Sequence, residues 1–83
     1  MNDVAKKCLC DRLINAIQTE GLSQREAANI IGVSQSDISN MKNEHNWRNV
    51  SEEKWEAVQK WANSGLSLVE YGKKNHAGEV GIS

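Results

Sequence analysis

Two helix-start signals with a single glycine between them constrain this chain more than anything else in it. Ser23-Gln24-Arg25-Glu26 sets a serine three residues before a glutamate, the spacing at which each side chain caps a backbone N–H of the other residue. Ser34 with Asp37 repeats the arrangement. The first signal opens a helix over Gln24 to Ile31. The second opens a helix that fades at Asn43. Gly32 lies between them, where a left-handed residue can turn the chain tightly. Small residues are needed where two such helices cross closely, and Ala27 and Ala28 supply them. Ile31, Val33, Ile38 and Met41 then fill the angle between the helices.

The flanking segments read as helix too, and no proline interrupts them. From about Asp3 to Glu20, Ala5, Leu9, Leu13, Ala16 and Ile17 share a face, with Asn2 or Asp3 as cap and Gly21 as stop. Lys6 falls on that face, where its stem can lie on apolar surface while the charge reaches water. After a loop over 44–50, Ser51 starts a fourth helix that groups Trp55, Val58 and Ala62 and stops at Gly65. Trp47 anchors the loop to the bundle. Trp61 either covers the stretch after Gly65 or sits in a contact between two copies. Leu66 to Tyr71 is short and apolar, and fits a strand or a last helical turn equally. The expectation is an all-α domain over 1–71, four helices and this ambiguous segment, followed by a flexible polar tail over 72–83.

The third predicted helix decides what the chain can bind. Ser36, Ser39, Asn40 and Asn43 fall within about 100° of arc, opposite Ile38 and Met41. Gln35 stands at the leading end. None carries a charge, and Asp37 lies on the flank as a cap residue. Asn and Gln can pair with adenine and Ser with several base edges, so a face without a carboxylate suits the major groove of double-stranded DNA. Gln35, Ser36, Ser39 and Asn40 are the candidate base readers. Arg25, Lys42 and Arg48 are the nearby cations proposed to clamp phosphates.

Gly21-Leu22-Ser23-Gln24-Arg25-Glu26-Ala27-Ala28, continuing through Ile31-Gly32-Val33-Ser34-Gln35-Ser36 to Ile38-Ser39, resembles the lambda-repressor and Cro-like helix-turn-helix regulators of phages and bacteria. The match runs from about Leu13 to Asn43. The resemblance implies a bundle of about five helices with the third in the major groove, and in many members a homodimer on a two-fold operator. It also implies that Gln24 contacts a phosphate and braces Gln35, that Gln35 and Ser36 read bases, and that Asn43 contacts a phosphate. Repression of transcription is the expected outcome. A small chain gains stability from a second copy; Trp61, Leu66, Leu68, Val69 and Tyr71 are the candidate contacts for a homodimer.

The net charge of −1 works against a nucleic-acid partner. Through Arg48 the basic and acidic residues are equal in number, so any DNA binding depends on where the cations stand. The same balance favours an alternative, a protein-interaction module such as an antitoxin or adaptor built on the same scaffold. A DNA-recognition subunit of a larger machine is a third reading, with no positive sign for it. With 39% hydrophobic and 25% charged residues the composition is that of a globular chain rather than a disordered one. Cys8 and Cys10 point about 160° apart on a helix and so share neither a bond nor a metal. His45 and His76 have no catalytic partner and are expected to be exposed. No metal site, cofactor or small-molecule ligand is expected, nor an enzymatic activity. The absence of a leader or spanning stretch suggests a cytoplasmic protein.

Overall fold

The computed structural model describes residues 1–74, in which the chain forms helices and no strand. α1 spans Asp3–Glu20, α2 Gln24–Ile31 and α3 Gln35–Met41; a 3-10 turn follows at Glu44–Asn49, then α4 at Glu52–Ser64. A last helix, α5, occupies 68–74.

Local chemistry sets most of these boundaries. The Asn2 side chain accepts the Ala5 N–H at 2.8 Å and starts α1, so Asn2 rather than Asp3 is the cap. Both predicted capping boxes form. Ser23 and Glu26 exchange bonds of 3.1 and 3.2 Å, and Ser34 and Asp37 two bonds of 3.0 Å. Gly32 sits at φ +93°, with its N–H and that of Val33 both turned back to the Ala28 carbonyl. That conformation is strained for any residue with a Cβ. At the start of α4, Ser51 holds the cap position through its backbone alone and makes no side-chain cap bond.

Two expectations are corrected and one open alternative is decided. The third helix ends at Met41, because Asn43 turns extended and its side chain caps the next segment. The loop expected over 44–50 is mostly the 3-10 turn. The stretch from Leu66, ambiguous between strand and helix, is helical from residue 68 and stays so through 74. The remainder of the expected tail, with His76, lies outside the described residues.

The core runs through every helix. Leu13, Ile38, Met41, Trp55, Val58 and Leu68 are its largest fully buried side chains. α1 packs on α4, α2 on α3 and on α4, and α3 on the 3-10 turn. Trp47 meets Trp55 edge to face with ring centroids 5.7 Å apart, a geometry that aromatic quadrupoles favour. Lys6 lies half-buried with its ammonium 5.2 Å from the centre of the Trp55 ring, so its stem covers the core while a cation–π contact holds its head.

α5 closes the bundle. Ser67 caps it, accepting the Glu70 N–H at 3.2 Å. The Glu20 carboxylate, from the end of α1, accepts the Leu68 and Val69 N–H groups at 2.9 and 2.8 Å. An anion thus sits at the positive end of the helix dipole, and it is the chain's own. A Cβ on Gly72 would come within 3.0 Å of the Ile30 side chain, so α5 lies closely against α2. The consequence for the five candidate dimer contacts is direct. Trp61, Leu68 and Tyr71 are 3%, 0% and 7% exposed within the single chain, where they pack in its own core. Leu68 and Tyr71 share the inner face of α5, whereas Val69, turned about 100° away, stays 38% exposed. Leu66 is half-buried.

Candidate nucleic-acid interface

The polar face of α3 is fixed from both ends. At its start the Asp37 carboxylate is bonded to the Ser34 N–H, which keeps the one acid of this helix in the cap. Along its inner side Ile38 and Met41 are 0% and 2% exposed. The opposite side therefore faces solvent: Gln35, Ser36 and Ser39 are exposed and Asn40 is half-buried. All four present hydrogen-bonding groups without formal charge.

At its end α3 passes into the 3-10 turn, and one buried bond ties the two together. The Trp47 indole N–H donates to the Met41 carbonyl at 2.9 Å, one of the carbonyls a helix terminus leaves without an intrahelical partner. Asn43 Oδ1 accepts the His45 N–H at 3.1 Å. The amide NH2 of Asn43 is left to donate outward, which is the half a phosphate oxygen requires. Lys42 and Arg48 are exposed on either side of it in sequence.

α2 contributes its first turn. Gln24 is half-buried and Arg25 exposed, where the dipole and the leading N–H groups favour an anion. Glu26 stands in the same turn, its carboxylate bonded to the Ser23 N–H. Arg25, Lys42 and Arg48 make no ion pair with any described residue, so their charge is open to a partner. The brace from Gln24 to Gln35 that the resemblance implies is not formed among the described residues; Gln35 is exposed and has water for its amide. All nine base-reading and phosphate-binding candidates are carried by α2, α3 and the segment from Lys42 through the 3-10 turn, which pack in succession. The dimer candidates belong to α4, α5 and the link between them.

Sequence reasoning missed the capping role of Asn43 and the docking role of Glu20. An Asn two residues before His45 is a weak local sign of the first; nothing local marks the second. His45 is exposed on the 3-10 turn. Cys8 is exposed and Cys10 buried, on different sides of α1 as expected. Burial, and then the Asp11 charge, push the Cys10 thiol up to about 11 against a smaller opposing pull from Lys7. It is an inert packing group.

No helix among the described residues is long and apolar enough to cross a membrane. A family model described as a helix-turn-helix domain matches residues 2–55, which takes in α1, α2, α3, the 3-10 turn and the start of α4. No curated protein and no solved structure shows significant similarity to the chain. With the match covering well over half of the sequence, and with two capped helices meeting at a left-handed glycine inside it, the chain belongs to the helix-turn-helix domain family.

Proposed function

We propose that the chain is a sequence-specific DNA-binding transcriptional regulator that reads the major groove with α3. The observation that carries this reading is the exposed, carboxylate-free face of α3 within a helix-turn-helix domain. Gln35, Ser36, Ser39 and Asn40 contact base edges. Gln24, Arg25, Lys42, Asn43 and Arg48 bind phosphates and set the register of α3 in the groove. The mode of docking is that of the lambda-repressor and Cro-like regulators. The protein acts as a repressor, by occupying an operator that overlaps a promoter. It does so as a homodimer, since a chain of net charge −1 gathers few phosphate contacts per copy and a two-fold site doubles them. With Trp61, Leu68 and Tyr71 committed to the core, the exposed Val69 and half-buried Leu66 remain as apolar contacts for that dimer.

The test is selection of bound duplexes from a randomised pool at two salt concentrations. Enrichment of a two-fold-symmetric site that weakens as salt rises is the expected result. Gln35→Ala then relaxes preference at one base position in each half-site, at a cost of about 1–3 kcal/mol. No enrichment at either salt refutes the reading. The near-neutral charge favours one second reading, a protein-interaction module of the antitoxin or adaptor kind. Its mark is a stoichiometric protein partner together with absence of salt-dependent DNA binding.

A further inference from the structure

A 3-10 helix turns once in three residues, so residues three apart stack on one edge. In Glu44–Asn49 that rule separates three edges, Glu44 with Trp47, His45 with Arg48, and Asn46 with Asn49. Trp47 points into the core, where it is 9% exposed. His45 and Arg48 stand together on another edge, both exposed. Lys42, three residues before His45, is exposed at the end of α3. The three side chains bring hydrogen-bond donors and positive charge to one end of the recognition helix, with no carboxylate among them. Glu44, next to His45 in sequence, falls on the Trp47 edge at the start of the turn and is itself exposed.

A ledge of this kind binds phosphate in register with α3 only if it cannot slide against it. Short 3-10 segments have poor internal hydrogen-bond geometry and depend on outside anchors. Here the anchors are visible. The Trp47 N–H reaches back to the Met41 carbonyl at 2.9 Å. Its ring is pinned edge-on against Trp55 of α4, and Asn43 caps the turn. The indole is thus bonded to the last residue of the recognition helix and packed on the bundle beneath it.

We infer that the His45–Arg48 edge of the 3-10 turn is a phosphate-contacting ledge and that Trp47 is its positioning residue, locking it to the end of the recognition helix. The inference rests on the DNA-binding reading and adds to it His45 as a contact and Trp47 as the residue acting through Arg48.

The experiment measures affinity for the selected duplex across a salt series for the wild type, Arg48→Gln, His45→Gln, Trp47→Phe and Trp47→Phe combined with Arg48→Gln. Each lost phosphate contact lowers the salt slope by about 0.9. Arg48→Gln removes one contact from each copy of the homodimer and should lower it by about 1.8, and His45→Gln should weaken binding severalfold. Trp47→Phe keeps an aromatic ring but removes the donor; it should lower the slope at least as much as Arg48→Gln. Adding Arg48→Gln to Trp47→Phe should then cost little more, the non-additivity expected when one residue acts through another. A merely structural Trp47 would lower the unfolding midpoint and leave the slope of the folded protein at the wild-type value; that result, or additive effects, overturns the positioning role. If Trp47→Phe does not fold, the other two variants decide, and unchanged slope and affinity in both overturns the ledge. Failure of the wild type to bind any duplex, seen before a variant is made, refutes the DNA-binding reading and this inference with it.

Discussion

Replacing Glu20 by Gln should destabilise the domain through a helix that Glu20 does not belong to. Its carboxylate oxygens accept the Leu68 and Val69 N–H groups at 2.9 and 2.8 Å. These are two of the donors that the start of α5 cannot satisfy internally. A hydrogen bond to a charged group contributes about 1.5–3 kcal/mol where it is well shielded, and a neutral one about 0.5–1.5. A charge at a helix terminus adds about 0.3–1 kcal/mol. Glutamine keeps one acceptor oxygen, loses the other and loses the charge. Glu20 is half-buried, so water screens part of the interaction and the lower ends of these ranges apply. The expected loss is about 1–2 kcal/mol. For a domain of this size each kcal/mol moves Tm by about 4–8 °C. Thermal and urea unfolding of the variant give the total, and amide exchange gives the location. Leu68 and Val69 should lose protection before the amides in the middle of α1 do, since α5 opens first. A wild-type midpoint together with unchanged exchange at Leu68 and Val69 would refute the reasoning, because it would mean that water serves those two N–H groups as well as the carboxylate does.

Two further outcomes follow from single observations. Gly32→Ala should cost about 1–2 kcal/mol in urea unfolding, all of it conformational, because a Cβ there meets nothing within 4 Å at φ +93°; a neutral result would mean that the turn relaxes out of the left-handed region. In native protein at about pH 8, iodoacetamide should alkylate Cys8 and spare Cys10, since the thiolate is the nucleophile and the buried Cys10 thiol is pushed up to about 11. Its labelling should rise only as pH climbs toward that value or as denaturant opens the core, and equal rates for the two cysteines would contradict the burial.

The helix-turn-helix was legible because its determinants are local. The Ser23–Glu26 and Ser34–Asp37 boxes, Gly32 and the small residues Ala27 and Ala28 each act within a few positions, and all of them appear where the sequence puts them. The exposed face of α3 follows from that register. α5 was harder for a physical reason. Ser67 and Glu70 have the same spacing as Ser23 and Glu26, so a start signal was present. Adjacent apolar residues in so short a stretch fit either period, however, and the carboxylate that secures the helix start comes from Glu20, 48 residues earlier. Reading the stretch without its register also left Leu68 and Tyr71 looking like surface contacts. Once Leu68 and Tyr71 share a helical face, that face belongs to the core, and Trp61 on α4 is buried with them.

The boundary of the family match sharpens this point into a prediction about what the domain needs. The match ends at Trp55, yet the core continues through Val58, Trp61, Ala62, Leu68 and Tyr71. A chain ended after Gly65 would keep every residue proposed to touch DNA and lose α5. Fully burying a large apolar side chain contributes about 1.5–3 kcal/mol, so removing Leu68 and Tyr71 withdraws about 3–6 kcal/mol. The loss also uncovers Ile30, against which Gly72 packs. Set against a total stability of about 5–15 kcal/mol for a domain, and with a chain this small at the lower end, the truncated protein should be largely unfolded or melt far below the full chain. Circular dichroism across a thermal scan checks it. A cooperative transition at the full-length midpoint would mean that the first four helices and the 3-10 turn stand alone, and that α5 is an appendage of the bundle rather than one of its walls.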